Sequence, residues 1–215
     1  PGGQTNATET IVQYLFSKFA DIEVIVPTFA MSAGTMISLA AHRIIMGRQS
    51  QLGPIDPQMH AGGKFVSAQA IVDQFANAKA EISDNPILAH AWAPVLSSLG
   101  PALLVEAQNA LDYGENMVAG WLAERMCVND PSPVDTGKRI ARYFNDAGKH
   151  KSHGRRIGRD EARQQGVVIE DLETDQLLQD AVLTAYHLLT IYFEMSSASK
   201  LIFNNHGQTW IKHAK

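Results

Sequence analysis

Apolar residues in the first part of the chain switch between a helical and an extended rhythm. Ile11, Val12, Tyr14, Leu15, Phe16 and Phe19 recur at helical spacing and predict an opening amphipathic helix. The run Ile22-Glu23-Val24-Ile25-Val26 is too short and too β-branched for a helix and reads as a buried parallel strand. Residues 35–41 are small and apolar, suited to a helix packed tightly on a sheet, and residues 42–46 read as the next strand. That order predicts a β-α-β unit with a parallel sheet.

Gly62-Gly63 breaks the chain before a long helical region that runs to about Met126, with interruptions at Pro86, Pro94 and Gly100-Pro101. Its last helix carries an apolar stripe through Leu103, Leu104, Ala107, Leu111, Val118, Trp121 and Leu122, the pattern of core or subunit contacts. A helix over 134–144, capped by Asp135 or Thr136, leads into the polar loop 145–154 with His150 and His153. A short helix with an acidic first turn then stops at Gly166, before a strand over 167–169. From Thr174 to about Met195 the pattern is helical again, too short and too polar for a transmembrane span and suited to packing or oligomer formation.

Composition narrows the function classes. At 215 residues the chain suits one domain with a helical appendage, and 45% hydrophobic with 19% charged residues supports a buried core. A formal charge of −4 argues against a nucleic-acid-binding face, and the basic cluster between Lys149 and Arg159 reads as a local loop. The single cysteine, Cys127, excludes an internal disulfide and a cysteine-built zinc site, fits a reducing compartment, and reads as packing. No histidine pair has convincing metal spacing. The chain opens on Pro1 without a methionine or a signal-peptide pattern, which predicts a fragment or processed form of a longer protein.

The candidate chemistry centres on Pro27-Thr28-Phe29-Ala30-Met31-Ser32-Ala33-Gly34. A serine between strand end and helix start has an accessible hydroxyl beside helix N-terminal amides, the geometry of a nucleophile with an oxyanion site. The competing reading is a helix-capping serine. Gly2 and Gly3, at a helix entrance, would let backbone amides approach a ligand, or would be a plain flexible terminus. In Ser50-Gln51-Leu52-Gly53-Pro54-Ile55-Asp56-Pro57-Gln58, two prolines and a glycine fix a loop around one carboxylate, Asp56. That carboxylate could orient a catalytic partner or simply form a turn.

Taken together, PGG, VPTFAMSAGT, SQLGPIDPQ and SHGRRIGRDEARQQGVVIEDL resemble the serine dehydrogenase proteinase family, distant relatives of the Clp protease proteolytic subunit and of signal peptide peptidase A. The resemblance runs from Pro1 to about Leu172. It implies an α/β, Clp protease/crotonase-like fold of β-β-α units, with a helical insert at about 67–126 and a C-terminal helical extension over 173–215. The fold's first strands would precede Pro1. The resemblance further implies a serine endopeptidase acting through an acyl-enzyme on Ser32, with an oxyanion hole from Gly2, Gly3 and the amide of Ala33.

For the base, the Ser-Asp-His chain order ascribed to this family fits Ser32, Asp56 and His153. The Ser-Lys arrangement of signal peptide peptidase A offers Lys79 as the alternative base, with Lys64 second, and His60 and His150 are fallback bases in polar loops. Met31 stands where a polar or basic residue is expected in this family, which touches substrate preference. Crotonase-type acyl-CoA chemistry and a non-catalytic assembly scaffold are the other readings. The resemblance implies no metal and no organic cofactor, a peptide or protein substrate, a homo-oligomer and no nucleic acid. It places the protein in the cytoplasm, or at a membrane through a segment upstream of Pro1.

Overall fold

The opening amphipathic pattern forms α1 (Thr5–Lys18), with Thr8 and Val12 buried one turn apart on a single face. The β-branched run follows as β1 (Glu23–Val26), and the serine turn lies between β2 (Phe29–Ala30) and α2 (Ala33–Leu39). Next come β3 (Arg43–Met46), β4 (Gln51–Leu52) and a hairpin of β5 (Gln58–Ala61) and β6 (Lys64–Ser67). The helical region divides into α3 (Ala68–Asp84), α4 (Ala89–Leu99) and α5 (Leu103–Glu124). Then follow α6 (Pro133–Asn145), α7 (Ala147–His150), β7 (Ile157–Gly158), α8 (Arg159–Gln164) and β8 (Ile169–Asp171). The computed structural model describes residues 2–214, with one compact unit ending at Asp171 and a second starting at Leu172.

The first unit is built on two small sheets. In one, β3 lies between β1 and β8, and both neighbours run parallel to it, with Val26 opposite Met46 and Met46 opposite Asp171. In the other, β4 pairs parallel with β2 and antiparallel with β7. This mixed α/β arrangement fits the Clp/crotonase-like class implied by the motifs. The core gathers Val26, Leu39, Ile44 and Leu52 with Leu122 and Phe144, joining the sheets to α2, α5 and α6. Along α6, Gly137, Ile140, Ala141 and Phe144 are buried while Lys138, Arg139 and Arg142 are exposed, the spacing of one helical face. That helix sits close on α5, since a Cβ at Gly137 would lie 2.6 Å from the Ala119 carbonyl oxygen.

Three local expectations change. Gly62 and Gly63 (φ +58° and +79°) form the turn of the β5–β6 hairpin, rather than a simple break before a helix. Pro94 lies inside α4 and does not interrupt it. The final strand falls at 169–171, because Gly166 (φ +95°) turns the chain and Val167 is taken into the core.

In the second unit, α9 (Gln176–Met195) is capped by Asp175, whose side chain accepts from the Leu178 amide at 3.0 Å. After it, β9 (Ala198–Phe203) and β10 (Thr209–His213) pair antiparallel, so the stretch expected as helical extension ends in a hairpin. Asn204 and Gly207 (φ +76°) shape its turn, the Asn204 side chain accepting from the amides of His206 and Gln208. Among the described residues no single helix is long and apolar enough to cross a membrane.

Candidate active site

Ser32 is the second of the two residues between β2 and α2, with φ 52° and ψ −115°, a conformation that costs a non-glycine residue backbone strain. Its carbonyl accepts from the Met36 amide at 3.0 Å, and the Met31 carbonyl accepts from Gly34, so the turn is held from both sides. The Ser32 side chain does not cap α2. The capping reading therefore has no hydrogen bond behind it. Gly2 and Gly3 run directly against this turn. A Cβ on Gly2 would lie 3.1 Å from Ser32 Cβ and 3.4 Å from its Oγ, and one on Gly3 would lie 3.5 Å from Ala33 Cβ. Of the residues named for an oxyanion site, Gly2 thus lies against Ser32 and Gly3 against Ala33.

Asp56 is fixed by a loop tied at three points. The Gly53 amide donates to Thr35 Oγ1 (3.0 Å), the Ile55 amide to the Phe144 carbonyl (2.9 Å), and the Pro57 carbonyl accepts from the Ala68 amide (2.9 Å). With Pro54 and Pro57 restricting φ, the loop has little freedom left. Asp56 is only 2% exposed, yet both carboxylate oxygens are satisfied. His153 Nδ1 lies 2.8 Å from Oδ1, and Gln58 Nε2 donates to Oδ2 at 2.7 Å. A carboxylate only accepts, so the His153 proton on this side belongs to Nδ1 and the neutral ring keeps its lone pair on Nε2. Ser32, Asp56, His153, Gly2 and Gly3 all line one cleft of about 950 Å³, together with Met31, Ile55 and Phe65.

The loop that delivers His153 is braced by a polar cluster. Asp146 caps α7 by accepting from the Lys149 amide at 2.8 Å. His150, expected in a solvated loop, is buried: Nε2 donates to the Tyr143 carbonyl (2.7 Å) and Nδ1 accepts from Arg155 (3.1 Å). Both ring nitrogens are engaged, which removes it as a base. Arg155 also donates to Glu161 at 2.7 Å, and the Tyr143 hydroxyl donates to the same carboxylate. Burial works to raise the Glu161 carboxyl, but the bonds from Tyr143 and Arg155 and the guanidinium charge outweigh it and hold it below the usual range. Burial, then the bond to Glu161, pushes the Tyr143 phenol up.

The other candidate bases lie apart from this arrangement. Lys79 is exposed on α3 and does not line the cleft. Lys64 is exposed beside the β5–β6 turn, and His60 is exposed with its ring edge-on to Phe65. Met31 lines the cleft with its thioether packed on Gly53, where a Cβ would come within 2.4 Å of Cε. Cys127 is buried, and burial pushes its thiol up, in keeping with packing. Among the described residues no group of three or more His, Cys, Asp or Glu is placed to hold a metal ion.

Three residues at the site are missed by the sequence analysis. Gln58 stood in the quoted motif without an assigned role. Thr35 looked like any small helix residue. Phe65, 74% exposed at the cleft, forms with Val66 a β-prone pair just after Gly62-Gly63, a hairpin signal that could have been read.

A family described as ClpP-like SDH-type serine proteinase matches residues 1–92, the family that the motifs resemble. The match contains Ser32 and Asp56 and leaves His153 outside it. The uncharacterized protein MJ0137 of Methanocaldococcus jannaschii is 36% identical over 109 residues, 51% of this chain and 35% of that protein. The uncharacterized protein MJ1495 of the same organism is 36% identical over 88 residues, 41% of this chain and 29% of that protein. The similarity thus covers about a third of the length of these curated relatives. No solved structure matches the chain significantly. At the level of the family, the matched residues are similar to serine peptidases.

Proposed function

We propose that this chain carries the catalytic centre of a serine peptidase that cleaves peptide bonds through an acyl-enzyme on Ser32. The observation that carries the reading is the 2.8 Å pairing of His153 Nδ1 with buried Asp56, in a cleft shared with a serine on a strained strand-to-helix turn. In this scheme His153 Nε2 takes the Ser32 hydroxyl proton as Oγ bonds to the scissile carbonyl carbon. The tetrahedral intermediate collapses with cleavage of the C–N bond, and the imidazolium returns the proton to the leaving amine. Water then repeats the sequence on the ester, releasing the acid and restoring the Ser32 hydroxyl. Asp56 holds the ring tautomer and stabilises the imidazolium. The amides of Gly2, Gly3 and Ala33 are the donors proposed for the oxyanion.

A fluorophosphonate probe tests the scheme on the purified chain. Labelling is expected on Ser32, absent in Ser32→Ala, lost in His153→Ala, sharply reduced in Asp56→Asn and unchanged in Lys79→Ala. Loss of labelling in Lys79→Ala with retention in His153→Ala would replace the triad by a Ser-Lys dyad. An unlabelled parent that is folded would favour the scaffold reading.

A further inference from the structure

We propose that Gln58 is a positioning residue of this centre, fixing which oxygen of Asp56 is presented to His153; the inference rests on the serine-peptidase reading above. Asp56 is too deeply buried for solvent to satisfy it, so each oxygen needs a protein donor. His153 serves Oδ1 at 2.8 Å and Gln58 serves Oδ2 at 2.7 Å. Because the donors hold opposite oxygens, turning the carboxylate about its terminal torsion would break both bonds. The imidazole therefore meets a carboxylate that is already oriented before substrate arrives.

The backbone makes Gln58 suited to the task. It is the first residue of β5, directly after Pro57, and is paired in register with Ser67 of β6. Its anchor is a sheet position and a proline, with the Pro57 carbonyl tied to the start of α3. Its chemistry fits as well. A neutral amide stabilises the carboxylate without supplying a second cation, so the charge of Asp56 stays available to the imidazolium that forms in the reaction. Besides Asp56 and His153, the adjoining cleft of about 370 Å³ is lined by Asp73 on α3 and by Lys151 at the end of α7. An arginine or lysine at position 58 would neutralise Asp56; glutamine orients it.

The test is the rate of fluorophosphonate labelling from mildly acidic to mildly alkaline pH, in the parent, Gln58→Leu and Gln58→Glu. Losing a donor to a charged, buried acceptor in Gln58→Leu is expected to slow labelling roughly tenfold or more. Gln58→Glu keeps the shape and makes the effect switchable. While the two facing carboxyls share a proton, the introduced carboxylic acid can donate to Oδ2 of Asp56, and the rate relative to parent approaches one. As pH rises and that proton is lost, two carboxylates face each other, the bond disappears and the ratio falls. The recovered rate at acidic pH doubles as the folding control. A constant Gln58→Glu to parent ratio across pH would overturn the role of Gln58, given that His153→Ala and Asp56→Asn lose labelling in the same series. Parent-like labelling of those two variants would overturn the underlying catalytic reading instead.

Discussion

Thr35, on the helix that follows the serine, holds the Gly53 amide at 3.0 Å and donates its own hydroxyl proton to the Ala30 carbonyl at 2.7 Å. One fully buried hydroxyl thus fastens the Asp56 loop to the serine turn. Thr35→Val keeps the shape and removes both bonds, leaving a buried N–H and a part-buried carbonyl each short of one partner. The expected loss is about 1–3 kcal/mol of stability, read by chemical denaturation. Labelling of Ser32 should slow beyond what the unfolded fraction accounts for, because the loop and the turn lose their common tether.

Gly2 offers a test of how closely the glycine segment approaches the serine. A methyl group there would meet Ser32 Cβ at 3.1 Å and Oγ at 3.4 Å, so the segment or the serine must shift. On the catalytic reading, Gly2→Ala is expected to reduce fluorophosphonate labelling by roughly a hundredfold, the order of cost of one lost oxyanion donor, while the melting temperature stays near that of the parent. Unchanged labelling would mean that the Gly2 backbone takes no part in binding the oxyanion.

Gly137 should behave in the opposite way. Its missing side chain admits the Ala119 carbonyl of α5, and a Cβ at 2.6 Å from that oxygen would force two core helices apart. Gly137→Ala is expected to destabilise by about 1–3 kcal/mol, despite the better helix propensity of alanine. Thermal unfolding would show it, and an unchanged midpoint would contradict the close α5–α6 approach.

The cluster behind His153 sets a pH window for stability. Glu161 is held below its ordinary carboxyl value of 4.5, so its contribution is present above that value and is lost as pH falls through the lower folded value. Tyr143 is held above its ordinary value of 10.0, so its contribution is full below that value and is lost as pH rises through the higher folded one. Between the two limits both contributions are intact. Glu161→Gln should flatten the acid side of a melting-temperature profile, and Tyr143→Phe the alkaline side.

Much of the first unit was legible because local pattern and tertiary environment agree there. The small residues of α2 and the stripe on α5 each permit one period and lie where it puts them, whereas the run at β1 forms its parallel strand at the edge of the sheet, with Ile25 exposed and Val26 buried, rather than the buried strand its β-branched residues predict. Asp56 and His153 could be named from the motifs, but their contact joins positions 97 residues apart, and no local rule supplies it. Gln58 was hidden for a related reason: its role depends on which oxygen of a buried carboxylate it reaches. The reading of His150 as solvated followed the polarity of its neighbours, whereas the structure folds those neighbours into a network that buries the ring. After Met195 the apolar runs Leu201-Ile202-Phe203 and Trp210-Ile211, separated by Asn204, Asn205 and Gly207, carry a hairpin signal that the preceding long helix masked.

The long sequence separation between Asp56 and His153 has a consequence for the timing of synthesis. A chain emerging from the ribosome exposes the serine turn and the carboxylate loop while the imidazole is still untranslated, and Asp56 receives its histidine only once the segment beyond α7 has come into place. On the catalytic reading, the last partner to arrive is the base, so an incomplete chain holds an unactivated hydroxyl. On that reading, hydrolytic competence is withheld from every nascent chain that ends before His153.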